Sequence, residues 1–282
     1  MKGDAEIFAE AASLSSRGAA FAICTIDAAE GSVPRTQARL LVRADGSTLG
    51  TIGGGTLELR VIADALSALR TGVVPPASPA SGPSSPAARR YDASSLGMLC
   101  GGSVEVHFDL VAAARSILIV GAGHVGLALA RLADTAGFRI SVADDRPSLT
   151  EKSRFPMAAS IHCASPLESA LEAALSERDA AAPGRSAIVI ATHADDERAL
   201  RFLIGKRWDY LGMLGSRAKV KSLKDRLAAE GVDPALRARL RAPVGLDIGA
   251  ETPEEIAVAI LAEILADFNS ADAKHLCGCT GS

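Results

Sequence analysis

Apolar positions follow two rhythms along this chain, and the rhythm changes near residue 115. Before it, Glu6 to Arg17 and Leu57 to Leu69 space their apolar residues as helices do, with Leu57, Val61, Ile62, Ala65, Leu66 and Leu69 on one face. Phe21 to Ile26 and Ala38 to Arg43 are short apolar runs with strand character, and Val104 to Leu110 alternates as a strand does. The result is a small mixed α/β unit. After the Ala112-Ala113-Ala114-Arg115 passage, strands at Ser116 to Val120, Arg139 to Ala143, Ser186 to Ala191 and Tyr210 to Leu214 alternate with helices. Those helices are expected at Leu127 to Ala136, Leu167 to Leu175, Glu197 to Leu203 and Lys219 to Glu230. Such alternation predicts a doubly wound parallel sheet of the Rossmann-like α/β class. The last helix has a clear start, with Thr252 as cap, Pro253 in the first turn and Glu255 completing a capping box.

Composition refines the boundaries. Residues 72–90 hold a run of proline, serine and alanine too poor in large apolar groups to offset its ordering entropy, so a mobile loop is expected there. The expected domains are 1–113, 114–270 and a flexible tail, 271–282. With 282 residues, 48% of them hydrophobic, the chain is long enough to bury a core without staples. A net charge of −3 argues against nucleic acid as a partner. No apolar run approaches the ~18 residues of a membrane span, and acidic residues follow Met1 where a signal peptide would be basic. Five scattered cysteines make no disulfide framework, so a reducing, cytoplasmic compartment is expected. Cys24 and Cys163 lie in apolar runs and are assigned to core packing, while His107 and His162 are read as structural.

Candidate chemistry gathers at glycine-rich turns. Gly121-Ala122-Gly123-His124-Val125-Gly126 follows a strand and opens a helix, the order that brings backbone amides to a phosphate. Asp144 ends the next strand, where an acid can accept a ribose hydroxyl, so a dinucleotide is one candidate ligand. Gly215-Ser216-Arg217, where helix amides, a hydroxyl, a guanidinium and the Lys219 ammonium converge, is a second candidate anion site, in competition with a plain helix cap. His193 follows a central strand at the end where open α/β sheets bind ligands. In the first unit, Arg35 offers a forked donor, and Gly53, Gly54 and Gly55 precede a helix with amides free to meet a ligand. Cys100-Gly101-Gly102 presents a thiol beside two glycines, suited to a soft metal or sulfur. His275, Cys277 and Cys279 could do the same, although an end segment without function is the plainer reading.

Several strings together resemble the XdhC/CoxI family over almost the whole chain. They are GSVPR, GTIGGGTLE, CGGSVEVHFD, ILIVGAGHVGLALARLA, VADDRP, the Thr-His-x-x-Asp segment at Thr192, YLGMLGSRAKV and APVGLDIGAETPEEIAVAILAEILA. The last two are the most specific. The resemblance implies a chaperone that binds the molybdenum cofactor (molybdopterin), holds it while a cysteine desulfurase exchanges an oxo ligand for sulfur, and delivers it to apo-xanthine dehydrogenase. It implies two partners, the desulfurase and the molybdenum subunit of xanthine dehydrogenase, together with a homodimeric assembly and a non-catalytic role. Cys100 would be the molybdenum contact. Family members often read Gly-Gln-Cys-Cys-Gly-Gly where this chain has Gly97-Met98-Leu99-Cys100-Gly101-Gly102, so Cys100 is the sole thiol carried over. Two other readings remain: an NAD(P)-dependent oxidoreductase with His124 or His193 as proton donor, and an adaptor with a vestigial Rossmann site.

Overall fold

The computed structural model describes residues 2–31, 36–75, 87–92, 102–181, 184–192 and 194–274. The chain divides into two compact units, the first built on Met1–Ala113 and the second on Ala114–Ala180 with Arg185–Ser282.

In the first unit, helix α1 (Lys2–Ser16) leads into β1 (Phe21–Gly31), β2 (Arg39–Arg43) and β3 (Thr48–Gly50). Helix α2 (Gly55–Thr71), β4 (Ala88–Asp92) and β5 (Gly102–Val111) complete it. The described strands form one sheet in the order β3-β2-β1-β5-β4, every neighbouring pair antiparallel. Strand β2 explains why the apolar run Arg39–Arg43 does not alternate with polar residues. Leu40 and Val42 pack with α2, and Leu41 packs with α1, so both faces of the strand are covered. Residues 88–90, expected within the loop 72–90, belong instead to β4, paired with β5, and residues 76–86 lie outside the described residues. Arg89 and Arg90 made that strand look polar, but Ala88 and Tyr91 are the side chains it buries.

Inside this unit, Asp64 of α2 is buried, and it accepts from Tyr91 Oη at 2.8 Å while pairing with Arg89 at 2.9 Å. Cys24 is buried as expected, and burial, followed by the Asp109 and Asp64 carboxylates, pushes its thiol up to about 12. It therefore stays a protonated core residue. Cys163 corrects the expectation for it. It ends the short strand Ser160–Cys163 with its side chain exposed and takes no part in the core.

The second unit alternates β6 (Ser116–Val120), α3 (His124–Thr135), β7 (Arg139–Asp144), β8 (Ser160–Cys163), α4 (Leu167–Ala181) and β9 (Ser186–Ile190). It continues through α5 (Asp196–Leu203), β10 (Tyr210–Met213), α6 (Arg217–Ala229), α7 (Pro234–Arg239), β11 (Leu240–Arg241) and α8 (Pro253–Phe268). The strands are all parallel and lie in the order β8-β7-β6-β9-β10-β11. This is the doubly wound sheet that the alternation predicted. Helices α3 and α8 cover one face of it, and α4, α5 and α6 the other, so β6 and β9 are buried at every position. The predicted capping box of α8 is present, with Thr252 accepting from Glu255 N and Glu255 from Thr252 N. Propagation runs outward from β6, first to β7 and β8 and then back to β9, so the switch point lies between β6 and β9.

Candidate functional site

The Gly121 turn is shaped by what cannot fit beside it. Gly121 has φ +113°, and a Cβ there would lie 2.5 Å from the Ala191 carbonyl oxygen, at the end of β9. A Cβ on Gly126 would overlap the Gly121 carbonyl oxygen, so this glycine lets α3 close on the turn. Gly123 differs, since a Cβ there meets nothing within 4 Å. It is the N-cap of α3 and contributes no side-chain cap, which leaves the first-turn amides facing open space.

That space is a cleft of about 430 Å³ at the carboxyl ends of β6, β9 and β10. It is lined by Gly123, His124 and Val125 of α3, by Ala191, Thr192 and Asp196 after β9, and by Leu214, Gly215, Ser216 and Lys219 after β10. Pro253 and Ile256 of α8 close it. The N-terminal turns of α3, α5, α6 and α8 therefore all border one cavity, and the positive ends of their dipoles add there.

Its floor carries a charged cluster. Asp196, with only 3% of its side chain exposed, accepts from the Thr192 hydroxyl and from the Lys219 ammonium. Lys219 keeps 46% of its side chain exposed and reaches the cleft from the first turn of α6. Ser216 caps that helix by accepting from Lys219 N at 3.2 Å. An ammonium has three N–H donors, so one bond to Asp196 leaves two for a ligand.

Gly123, His124, Gly215 and Ser216, all expected site residues, meet in this cleft. Arg217 does not. It is 87% exposed and pairs with Asp247 at 3.0 Å, so the cation delivered by this turn is Lys219 rather than Arg217. Asp144 is committed elsewhere too. It is 2% exposed, and its Oδ2 accepts from Ala122 N at 2.6 Å and from Arg146 at 2.7 Å. Its Oδ1 accepts from Arg146 N at 3.0 Å and Arg146 Nε at 2.8 Å, which fills all four acceptor positions of the carboxylate. Burial raises its pKa, but the Arg146 and Ala122 hydrogen bonds outweigh burial and hold it below the usual carboxylate value.

The glycine run of the first unit is also self-satisfied. Glu58 of α2 accepts from Ile52 N at 3.0 Å, Gly54 N at 3.1 Å and the Thr51 hydroxyl at 2.6 Å, and Gly53 N donates to Thr51 Oγ1. The amides of Gly53 and Gly54 thus turn to the chain's own side chains, not outward as expected. Gly55 starts α2, and Gly102 starts β5 with φ +144°. Arg35, Cys100, Gly101, His193, Cys277 and Cys279 lie outside the described residues. Among the described residues, no group of three or more His, Cys, Asp or Glu side chains could hold a metal ion, and no helix is long and apolar enough to cross a membrane.

Thr192 and Asp196 were not among the expected site residues, whereas the Lys219 ammonium was expected beside the Gly215 turn. The signal for the first two was present, in the Thr-His-x-x-Asp segment after a central strand. Local sequence does not reveal that the two segments share one floor.

Fold and cleft together define a two-unit α/β protein whose second unit is a Rossmann-type domain with a cleft at its switch point. Comparison with known proteins makes this more specific. Residues 117–264 match the family described as the XdhC Rossmann domain, and residues 14–74 match the XdhC and CoxI family. The chain is 39% identical over 265 residues to the uncharacterized protein YqeB of Escherichia coli K12, spanning 94% of this chain and 47% of that protein. It is 37% identical over 151 residues to a probable xanthine dehydrogenase subunit of Bacillus subtilis 168, spanning 53% of this chain and 42% of that one. A crystal structure described as a xanthine dehydrogenase from Bacillus halodurans aligns with a TM-score of 0.47 at 21% identity, covering 95% of this chain and 96% of that one. The chain belongs to the XdhC and CoxI family. It spans less than half the length of the curated relatives it matches.

Proposed function

We propose that this protein is a maturation factor for xanthine dehydrogenase, one that binds the molybdenum cofactor, holds it during sulfuration and delivers it to the apoenzyme's molybdenum subunit. Membership of the XdhC and CoxI family carries the reading, and the Bacillus subtilis relative, named as a probable xanthine dehydrogenase component, supports it. The cofactor's chemistry is compatible with the second unit's cleft. Molybdopterin ends in a phosphate, which requires N–H donors and a cation. The cleft presents the amide ends of α3 and α6, Lys219 and the open face of Gly123. When bound, the cofactor would supply the molybdenum centre that accepts sulfur. The chain's own residues would bind and shield it, with Cys100 as the soft contact at the metal. In this reading the sulfur comes from a cysteine desulfurase, the protein works as a cytoplasmic homodimer, and it catalyses no step itself.

The test is molybdenum bound per purified protein, measured with activity restored to apo-xanthine dehydrogenase. Wild type is expected to retain the cofactor and activate the apoenzyme, and Cys100→Ser to lower both without changing the unfolding midpoint. Tight NAD(H) with turnover, and no cofactor retained, would replace this reading by an oxidoreductase.

A further inference from the structure

We infer that the cleft of the second unit is a phosphomonoester site, in which Lys219 is the counter-cation and Asp196 positions its ammonium, and that a dinucleotide is not accommodated. This deepens the proposed function by placing the phosphate end of the ligand, and it rests on that reading only for the ligand's identity.

The two halves of a Rossmann sheet are not equivalent here. A dinucleotide lies across both, with its first ribose on the acid that ends the second strand. In this chain that acid is Asp144, whose four acceptor positions are filled by Ala122 N and by Arg146 through its backbone N, Nε and second guanidinium nitrogen. A ribose diol would have to displace a two-point guanidinium pair to reach it. The cleft agrees with this, since none of its lining residues comes from β7 or β8. It opens entirely on the β6, β9 and β10 side.

On that side the donors converge. Asp196 lies beneath Lys219, and its charge is taken up by Lys219, by the Thr192 hydroxyl and by its own place in the first turn of α5. What faces the cleft is the remaining ammonium N–H pair and the amide ends of α3 and α6. A compact, doubly charged terminal phosphate matches several donors around one point. A pyrophosphate bridge spreads the same charge over two centres and needs the blocked half for its second nucleoside.

The experiment is calorimetric titration of the full chain with GMP, guanosine and NAD+. GMP is a phosphomonoester with the same amino-oxo pyrimidine edge as a pterin. Expected is GMP binding at least about tenfold tighter than guanosine, with NAD+ weaker than GMP. Lys219→Met should weaken GMP about ten- to hundredfold and leave guanosine unchanged, since a charge-assisted hydrogen bond is lost. Lys219→Arg should retain part of the affinity. Asp196→Asn should weaken GMP about three- to tenfold, again without affecting guanosine, a split that a merely structural role would not produce. Undetectable GMP binding, equal affinity for GMP and guanosine, NAD+ as tight as GMP, or an indifferent Lys219→Met overturns the assignment. An indifferent Asp196→Asn removes the positioning role. None of these readouts depends on activation of xanthine dehydrogenase, so the site and the maturation role fail separately.

Discussion

Two glycines of one turn, three residues apart, should answer a side chain in opposite ways. Gly123 has φ −71° and open space where a Cβ would go, so Gly123→Val is expected to shift stability by no more than about 1 kcal/mol. The same side chain would stand where a phosphate approaches the α3 amides, so GMP binding should fall at least tenfold in the same preparation. Gly126→Ala reverses the pattern, because its Cβ overlaps the Gly121 carbonyl and the backbone must move at a cost of about 1–3 kcal/mol or more. Urea unfolding midpoints of the two variants check the contrast. Asp144 adds a pH signature. With its pKa held below the ordinary 3.8, its stabilisation is complete above the unfolded value and is lost as pH falls through the lower, folded one. Asp144→Asn should therefore cost about 2 kcal/mol at pH 7, discounted for the half-exposed Arg146, and the gap to wild type should close only below about pH 4.

At the scale of elements, helix ends divide into those that are closed and those that are left open. Helix α8 is closed by its capping box, and Thr252→Ala is expected to cost about 1 kcal/mol by thermal unfolding. The turn entering α2 is closed by Glu58, whose carboxylate takes two amides and a hydroxyl. Glu58→Ala leaves these donors to water and should lower stability by about 1–2 kcal/mol. If hydrogen exchange at Ile52 and Gly54 were unchanged in that variant, Glu58 would not be what closes the turn. Helix α3 has no such side chain at its start, and α6 spends its serine cap on Lys219 N, the residue that also serves the cleft. Of the helix ends that border the cleft, α8 is closed, whereas α3 is uncapped and α6 bifunctional, so those two are the ones a ligand can satisfy.

For the molecule as a whole, each unit has its own buried clusters, with no member in common. A lesion in one core should be read locally. Asp64 is buried against Tyr91 and Arg89, and Asp64→Ala deprives a nearly buried guanidinium of its carboxylate, a change expected to cost about 3 kcal/mol. Hydrogen exchange followed by mass spectrometry should show faster exchange across β4, β5 and α2, with the β6 and β9 amides unaffected. Equal loss of protection in both units would contradict separate cores.

Periodicity alone determined the class of the second unit. Fully apolar strands separated by amphipathic helices have few other ways to bury themselves, and the capping box and the glycine turn are local patterns read from neighbouring residues. Strands β4 and β8 escaped because charged or polar residues interrupt them and only their sheet neighbours make them strands. The site was legible only in part, for a related reason. Glycines at a strand end announce themselves, but a carboxylate's partners do not. Only the fold decided that Asp144 is spent on Arg146, that Glu58 fills the glycine turn of the first unit, and that Arg217 faces away on Asp247. The same holds for the pairing of Asp196 with Lys219, 23 residues apart in sequence and brought together because β9 and β10 are neighbours in the sheet. Charge is a property of a residue, whereas its availability to a ligand depends on which other groups the tertiary structure sets within hydrogen-bonding reach.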